Sequence, residues 1–286
     1  MTAGKGRPMD SQKLELVVKI GSMALIRRED NDIDYNLFSR LSGELRPGMA
    51  VVSSGATEIG RLDCMKRYGA ELNGDPEDNK TDYAAQGQAI LMATWRQFIR
   101  PDYQVRQVLV EHNHFNDPQK REHLRKMLLR CADQQAIPII NYNDAVSDEE
   151  NRKLELQRLH SDRPDETVVE CVDNDETAAV VSELIRAKTM VLLTSADGIY
   201  RDPHDPSTLV TDVTAPDAET LTAKIRELQA HCVGASRAGA NGAGAKLAFA
   251  LRSALQGVTV IIGSAKKYRL RELLDSSMPC TRISLE

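Results

Sequence analysis

Met190-Val191-Leu192-Leu193-Thr194 carries no charge and does not alternate apolar with polar residues. A strand with one wet face would alternate, so a short continuous apolar run of this kind suits a strand buried on both faces, as the central strands of a parallel sheet are. Working outward, similar runs occur at residues 14–20, 49–53, 107–110, 137–141 and 258–262, each followed by a glycine-rich or polar turn. Helical patterns lie between them, at residues 35–45, 84–98, 119–134, 176–187, 218–231 and 244–255. This alternation predicts an α/β protein: a three-layer α/β/α sandwich with an open, mostly parallel central sheet. In such a sheet ligands bind outside the carboxyl ends of the strands, so functional residues are expected just after each strand.

Composition narrows the class. The 286 residues are 28 % charged and 41 % hydrophobic, which suits a globular chain with a sizeable core. We expect one unit over residues 13–286, preceded by a disordered polar tail at 1–12. A formal net charge of −5 leaves no basic footprint for nucleic acid. No apolar run approaches the ~18 residues of a membrane span, and the charged N-terminus reads as neither signal nor anchor. Cys64, Cys131, Cys171, Cys232 and Cys280 are scattered and odd in number, so reduced thiols and a cytoplasmic location are expected. His112 and His114 form an H-x-H without a third ligand nearby in sequence, which favours a packing or solvated role over a metal site. Residues 147–166 are dominated by charge and read as an exposed insertion, partly helical or mobile.

Gly239-Ala240-Asn241-Gly242-Ala243-Gly244-Ala245-Lys246 precedes an apolar helix and reads as a phosphate cradle or, more plainly, as a surface turn. Side chains no larger than Asn let backbone N–H groups approach an anion, the helix N-terminus adds a positive end, and Lys246 adds a full charge. It is not a Walker A loop, in which lysine directly follows the last glycine and a hydroxyl follows the lysine; here Ala245 intervenes and Leu247 follows.

The remaining candidates follow the strands. Lys19, Gly21 and Ser22 end the first. Ser53-Ser54-Gly55-Ala56 follows the second and could bind an anion or merely cap a helix. Asn141-Tyr142-Asn143-Asp144 and Asp173-Asn174-Asp175 are two Asx-rich clusters whose carboxylates need partners if buried, and Lys19 and Lys246 could be those partners. Thr194 to Pro203 combines turn formers with Tyr200, which could flank a nucleotide base or cap the sheet.

Taken in order, Lys19-Ile20-Gly21-Ser22, Val51-Val52-Ser53-Ser54-Gly55-Ala56, Pro138 through Val146, Asp173-Asn174-Asp175, Leu192-Leu193-Thr194 through Tyr200 and the loop ending at Lys246 resemble the motifs of the amino acid kinase family. Within it they are most similar to those of the glutamate 5-kinases, over about residues 13–265. The resemblance implies that family's fold and transfer of the γ-phosphoryl group of ATP to the γ-carboxylate of glutamate, giving an acyl phosphate, the first step of proline biosynthesis.

It further implies that Lys19 and Lys246 flank the migrating group while Asp175 holds both. Gly21, Gly242 and Gly244 would offer amides to phosphates, and Thr194, Ser195, Tyr200 and Asn241 would meet the nucleotide. Ser54, Gly55, Asn141, Asp144, Asp173 and Asn174 would meet the acceptor. Mg2+ is expected through the ATP phosphates and not through protein ligands. An acceptor half (about 13–180) and a nucleotide half (about 181–286) are implied, as is an oligomer of a chain that meets a small carboxylate, no nucleic acid and no membrane. Many glutamate 5-kinases carry a further C-terminal RNA-binding-like domain, for which this sequence leaves no room.

The chain departs from the family's usual residues at Tyr142 (Glu), Val172 (Gly), Ser195 (Asp) and in the cradle at Ala240, Asn241, Ala243 and Ala245. The acceptor therefore stays open between glutamate, a related acid and a phosphate, phosphonate or carbamate, with a non-catalytic binder as a third reading.

Overall fold

The computed structural model describes residues 13–171, 173–232 and 242–286. Eight strands form its main sheet: β1 Leu16–Ile20, β2 Met49–Ser53, β3 Gln104–Val110, β4 Ala136–Tyr142, β5 Thr189–Thr194, β6 Asp212–Ala215, β7 Thr259–Ser264 and β8 Thr281–Leu285. Their spatial order is β6-β8-β7-β5-β1-β2-β4-β3. All neighbours from β7 to β3 pair in parallel, whereas β8 runs antiparallel to β7 and carries β6 parallel to itself. The architecture is thus the expected sandwich with a mostly parallel sheet.

The apolar runs have a direct cause. Successive side chains of a strand point to opposite faces, and both faces here are covered. Val17, Val52, Leu192 and Ile262 enter one buried cluster with the helices Pro118–Asp133, Asn174–Ile185, Ala218–His231 and Gly242–Leu255. Val18, Val51, Val191 and Ile261 enter the other, with the helices Tyr35–Ser42, Ala56–Tyr68 and Pro76–Phe98. Lys19 shares the face of Val17, so it points toward the helices Asn174–Ile185 and Gly242–Leu255. That single parity decides which charged groups it can meet.

Several boundaries differ from the sequence reading. The helix expected at 84 begins at Pro76, behind an Asp75 N-cap whose carboxylate accepts from Glu77 N at 2.8 Å. The helix Ala56–Tyr68 was anticipated only through the cap reading of residues 53–56 and not by its pattern, because its contact face carries Ala56, Gly60 and Cys64 where a stripe of large apolar residues would signal it. The glycines have a reason: a Cβ on Gly60 would lie 1.9 Å from Tyr83 O, and one on Gly87 1.8 Å from Ala56 O, so this helix and Pro76–Phe98 cross backbone to backbone. The charged insertion folds as the helix Glu149–Asp162, capped by Asp148. Among the described residues, no helix is long and apolar enough to cross a membrane. The tail at 1–12 lies outside the described residues.

Candidate active site

Strand register brings the predicted turns together. Ile20 lies opposite Ser53 on one side and Leu193 on the other, and Thr194 lies opposite Ser264. Gly21, Ser54 and Ser195 therefore emerge side by side at the carboxyl edge. Backbone bonds stitch that edge: Ser54 N donates to Ile20 O at 3.1 Å, Gly21 N to Leu193 O at 3.2 Å and Ala265 N to Thr194 O at 2.8 Å.

Above this edge Asp175 sits in the first turn of the helix Asn174–Ile185, 7 % exposed. Its Oδ1 lies 2.7 Å from Lys19 Nζ, and its Oδ2 accepts from Lys246 Nζ. Residues far apart in the chain meet because β1, a helix N-terminus and the first turns of Gly242–Leu255 converge there. Burial alone would raise the Asp175 pKa, but the two ammonium groups outweigh it and hold the carboxyl well below the usual range. Burial acts on Lys246 in the opposite sense, aided by the like charge of Lys19, and pushes it below the ordinary lysine value although Asp175 pulls upward.

Asp173 caps the same helix, its Oδ1 accepting from Asp175 N at 2.7 Å and Glu176 N at 3.0 Å. An Asp at this position satisfies orphan amides and complements the helix dipole, so its first duty is to set the angle at which Asp175 enters the site. Asn174 Nδ2 donates to Ser54 Oγ at 3.0 Å and to Asn141 Oδ1 at 2.9 Å, while its Oδ1 is buried without a hydrogen-bond partner among the described residues. Asn141 in turn donates to Gln88 Oε1 at 2.9 Å. Ser54, Asn141 and Asn174 are thus one connected set.

Gln88 is the residue that sequence reading missed. Its signal was present: it sits on the stripe of Ala84, Leu91 and Trp95, where a polar side chain on an otherwise buried helix face needs an explanation. Beside this set lies a polar cavity lined by Lys80, Tyr142, Asp144, Arg152, Asp173 and Asn174, among others. Burial raises the Asp144 pKa against the pull of Lys80 and Arg152, and no cation lies within ion-pairing distance of it among the described residues. Tyr142 joins its hydroxyl to Ser147 Oγ at 3.2 Å at the base of the inserted helix.

The remaining candidates are placed as follows. Gly242 and Gly244 stand in the first turn of the helix Gly242–Leu255, where Gly244 O accepts from Gln229 Nε2 at 2.8 Å, and Lys246 follows on the same helix. Asn241 and Val172 fall outside the described residues. Gly55 precedes the helix Ala56–Tyr68 with φ of 107°, a conformation that glycine adopts without strain. Thr194 Oγ1 is occupied within its own turn by Ala196 N, Ser195 is exposed, and the Tyr200 hydroxyl donates to Asp197. His112 pairs with Glu155 and His114 accepts from Glu111 N, so the H-x-H serves packing. All five cysteines are free.

A model of the amino acid kinase family matches residues 15–264. The chain belongs to the amino acid kinase family. Its relatives in that family include the glutamate 5-kinase of Corynebacterium jeikeium, 31 % identical over 88 % of this chain and 61 % of that protein. The glutamate 5-kinase of Frankia casuarinae is 32 % identical over 91 % of this chain and 64 % of its own length. The chain therefore spans somewhat less than two thirds of these relatives. Among solved structures, the carbamate kinase of Giardia lamblia bound to AMP-PNP superimposes with a TM-score of 0.61 at 12 % identity, covering 96 % of this chain and all of that one. It shares the amino acid kinase fold.

Proposed function

We propose that this chain transfers the γ-phosphoryl group of ATP to a carboxylate, glutamate or a closely related acid, forming an acyl phosphate and ADP. The observation that carries the reading is the pair of buried ammonium groups bridged by Asp175 at the carboxyl edge of the sheet. The similarity to glutamate 5-kinases at about 30 % identity supports the acid as acceptor.

Phosphoryl transfer asks little covalent help of a protein; it needs in-line placement and neutralisation of charge spread over the migrating group. A carboxylate oxygen of the acceptor attacks the γ-phosphorus as the bond to the β,γ-bridging oxygen breaks, and that oxygen leaves on ADP. Lys19 and Lys246 neutralise the charge on the phosphoryl oxygens, and Asp175 fixes both ammoniums so that they need not reorganise during the step. Ser54 Oγ, positioned by the hydrogen bond it accepts from Asn174 Nδ2, keeps its own O–H to donate to the acceptor carboxylate. Both oxygens of Asp175 are taken by lysines, which fits Mg2+ carried on the nucleotide phosphates. Bound in that way, it supplies further charge neutralisation to the phosphates.

The test is incubation with Mg-ATP, hydroxylamine and a panel of amino and carboxylic acids. A hydroxamate formed with an acid, in step with ADP, is the expected result. Acceptor-dependent ADP without hydroxamate would point to a phosphate or carbamate acceptor, and nucleotide binding without turnover to a regulator; either result overturns the proposal.

A further inference from the structure

We propose that Arg152, on the inserted helix, is a specificity-determining residue that binds a second acidic group of the acceptor, a carboxylate other than the one phosphorylated. The inference rests on the carboxylate-kinase reading above and deepens it: the acceptor is a dicarboxylic amino acid and not a monocarboxylate.

The inserted helix is seated firmly on the body of the protein. Leu156 is buried, Glu155 pairs with His112 at 3.0 Å, and Arg163 just beyond the helix donates to Asn116 O at 3.0 Å. Arg152 precedes Glu155 and Leu156 by three and four residues, so it lies on the same inward face. There it lines the polar cavity beside Asn174 and Asp144. Among the described residues its one hydrogen bond to protein, at 3.4 Å, goes to Cys171 O, and no carboxylate comes within ion-pairing distance.

A half-buried guanidinium with most of its five N–H donors unspent is costly unless an anion completes it, and its planar fork suits a carboxylate. Its cationic neighbour Lys80 is exposed and leans toward Glu77 at 3.6 Å. Asp144, also without an ion-pair partner among the described residues, faces the same cavity and suits an ammonium. One cavity thus presents an unspent anion and an unspent bidentate cation, next to the Ser54–Asn174–Asn141 set where the reacting carboxylate would sit. An α-amino dicarboxylic acid has the matching groups.

The experiment compares L-glutamate with 4-aminobutanoate and L-aspartate with 3-aminopropanoate, each pair differing by the α-carboxylate, in the hydroxamate assay. The wild-type protein should prefer the dicarboxylic member. Arg152→Ala should raise KM for that member about 10- to 100-fold, the range for losing a hydrogen-bonded charge pair, leave KM for ATP within about twofold, and shrink the preference in kcat/KM by a similar factor. Arg152→Lys should recover part of the affinity, since it keeps the charge and loses the fork. Arg152→Gln, which retains a donor for Cys171 O, repeats the comparison if the alanine variant melts early. An unchanged preference in the folded variants, or equal losses on both members of a pair, overturns the inference while leaving the kinase reading in place. No hydroxamate from the wild-type protein with any acid overturns both.

Discussion

Asp175 with Lys19 and Lys246 is a buried group of three charges that sums to +1, and a surplus positive charge held out of water is stable only if an anion can join it. Each member is therefore expected to fail differently. Lys246→Met keeps the stem and removes the charge; kcat in the hydroxamate assay should fall by about 10²–10³, and a loss of only a few-fold would remove this ammonium from the chemistry. Asp175→Asn leaves two buried cations without their counter-charge and should lower unfolding stability by about 3–5 kcal/mol, measured as the urea midpoint at pH 7. The sign with pH follows from the depressed carboxyl: its contribution is complete above the usual carboxylate range and is lost only as pH falls through its lowered pKa, so stability from this pair should not change between pH 5 and 8. Lys246 titrates below the ordinary lysine value, so kcat should begin to fall on the alkaline side before pH reaches about 10.4; a plateau extending past that point would contradict the desolvation argued here.

At the scale of elements, the parts legible in the sequence were those buried on both sides. β2 matched its expected bounds, and β5 and β7 came within two residues, because doubly buried strands read as apolar runs. β6 and β8 were missed because Asp-Val-Thr-Ala and Thr-Arg-Ile-Ser-Leu are short and mix polar with apolar residues, as half-buried strands at or next to a sheet margin do. The same logic covers the site. Lys19, Lys246 and Asp175 could be listened for as charges at element ends, whereas Gln88 lay inside a helix and Arg152 inside a charged stretch that read as solvated surface. The crossing of Ala56–Tyr68 with Pro76–Phe98 was illegible, since only the paired backbones explain Gly60 and Gly87. Gly87→Ala should destabilise by about 1–3 kcal/mol or more through overpacking, read as a lower urea midpoint with an unchanged m-value. A neutral result would mean that these helices can separate freely.

For the whole molecule, the site is assembled from both ends of the chain: β1 supplies Lys19, a central helix Asp175, and a late helix Lys246. Occupation of that junction should therefore stabilise the entire fold. A non-hydrolysable ATP analogue with Mg2+ at 100 times its dissociation constant should add about 2.7 kcal/mol, raising Tm by several degrees in a thermal melt, and the Lys246→Met variant should gain much less. An equal gain in both would separate nucleotide binding from this lysine. The placement of β8 between β6 and β7 has a different reach. During synthesis on a ribosome, β6 emerges well before the segment that joins it to the rest of the sheet, so that margin stays a loose flap until Thr281–Leu285 has been translated and slots into the gap.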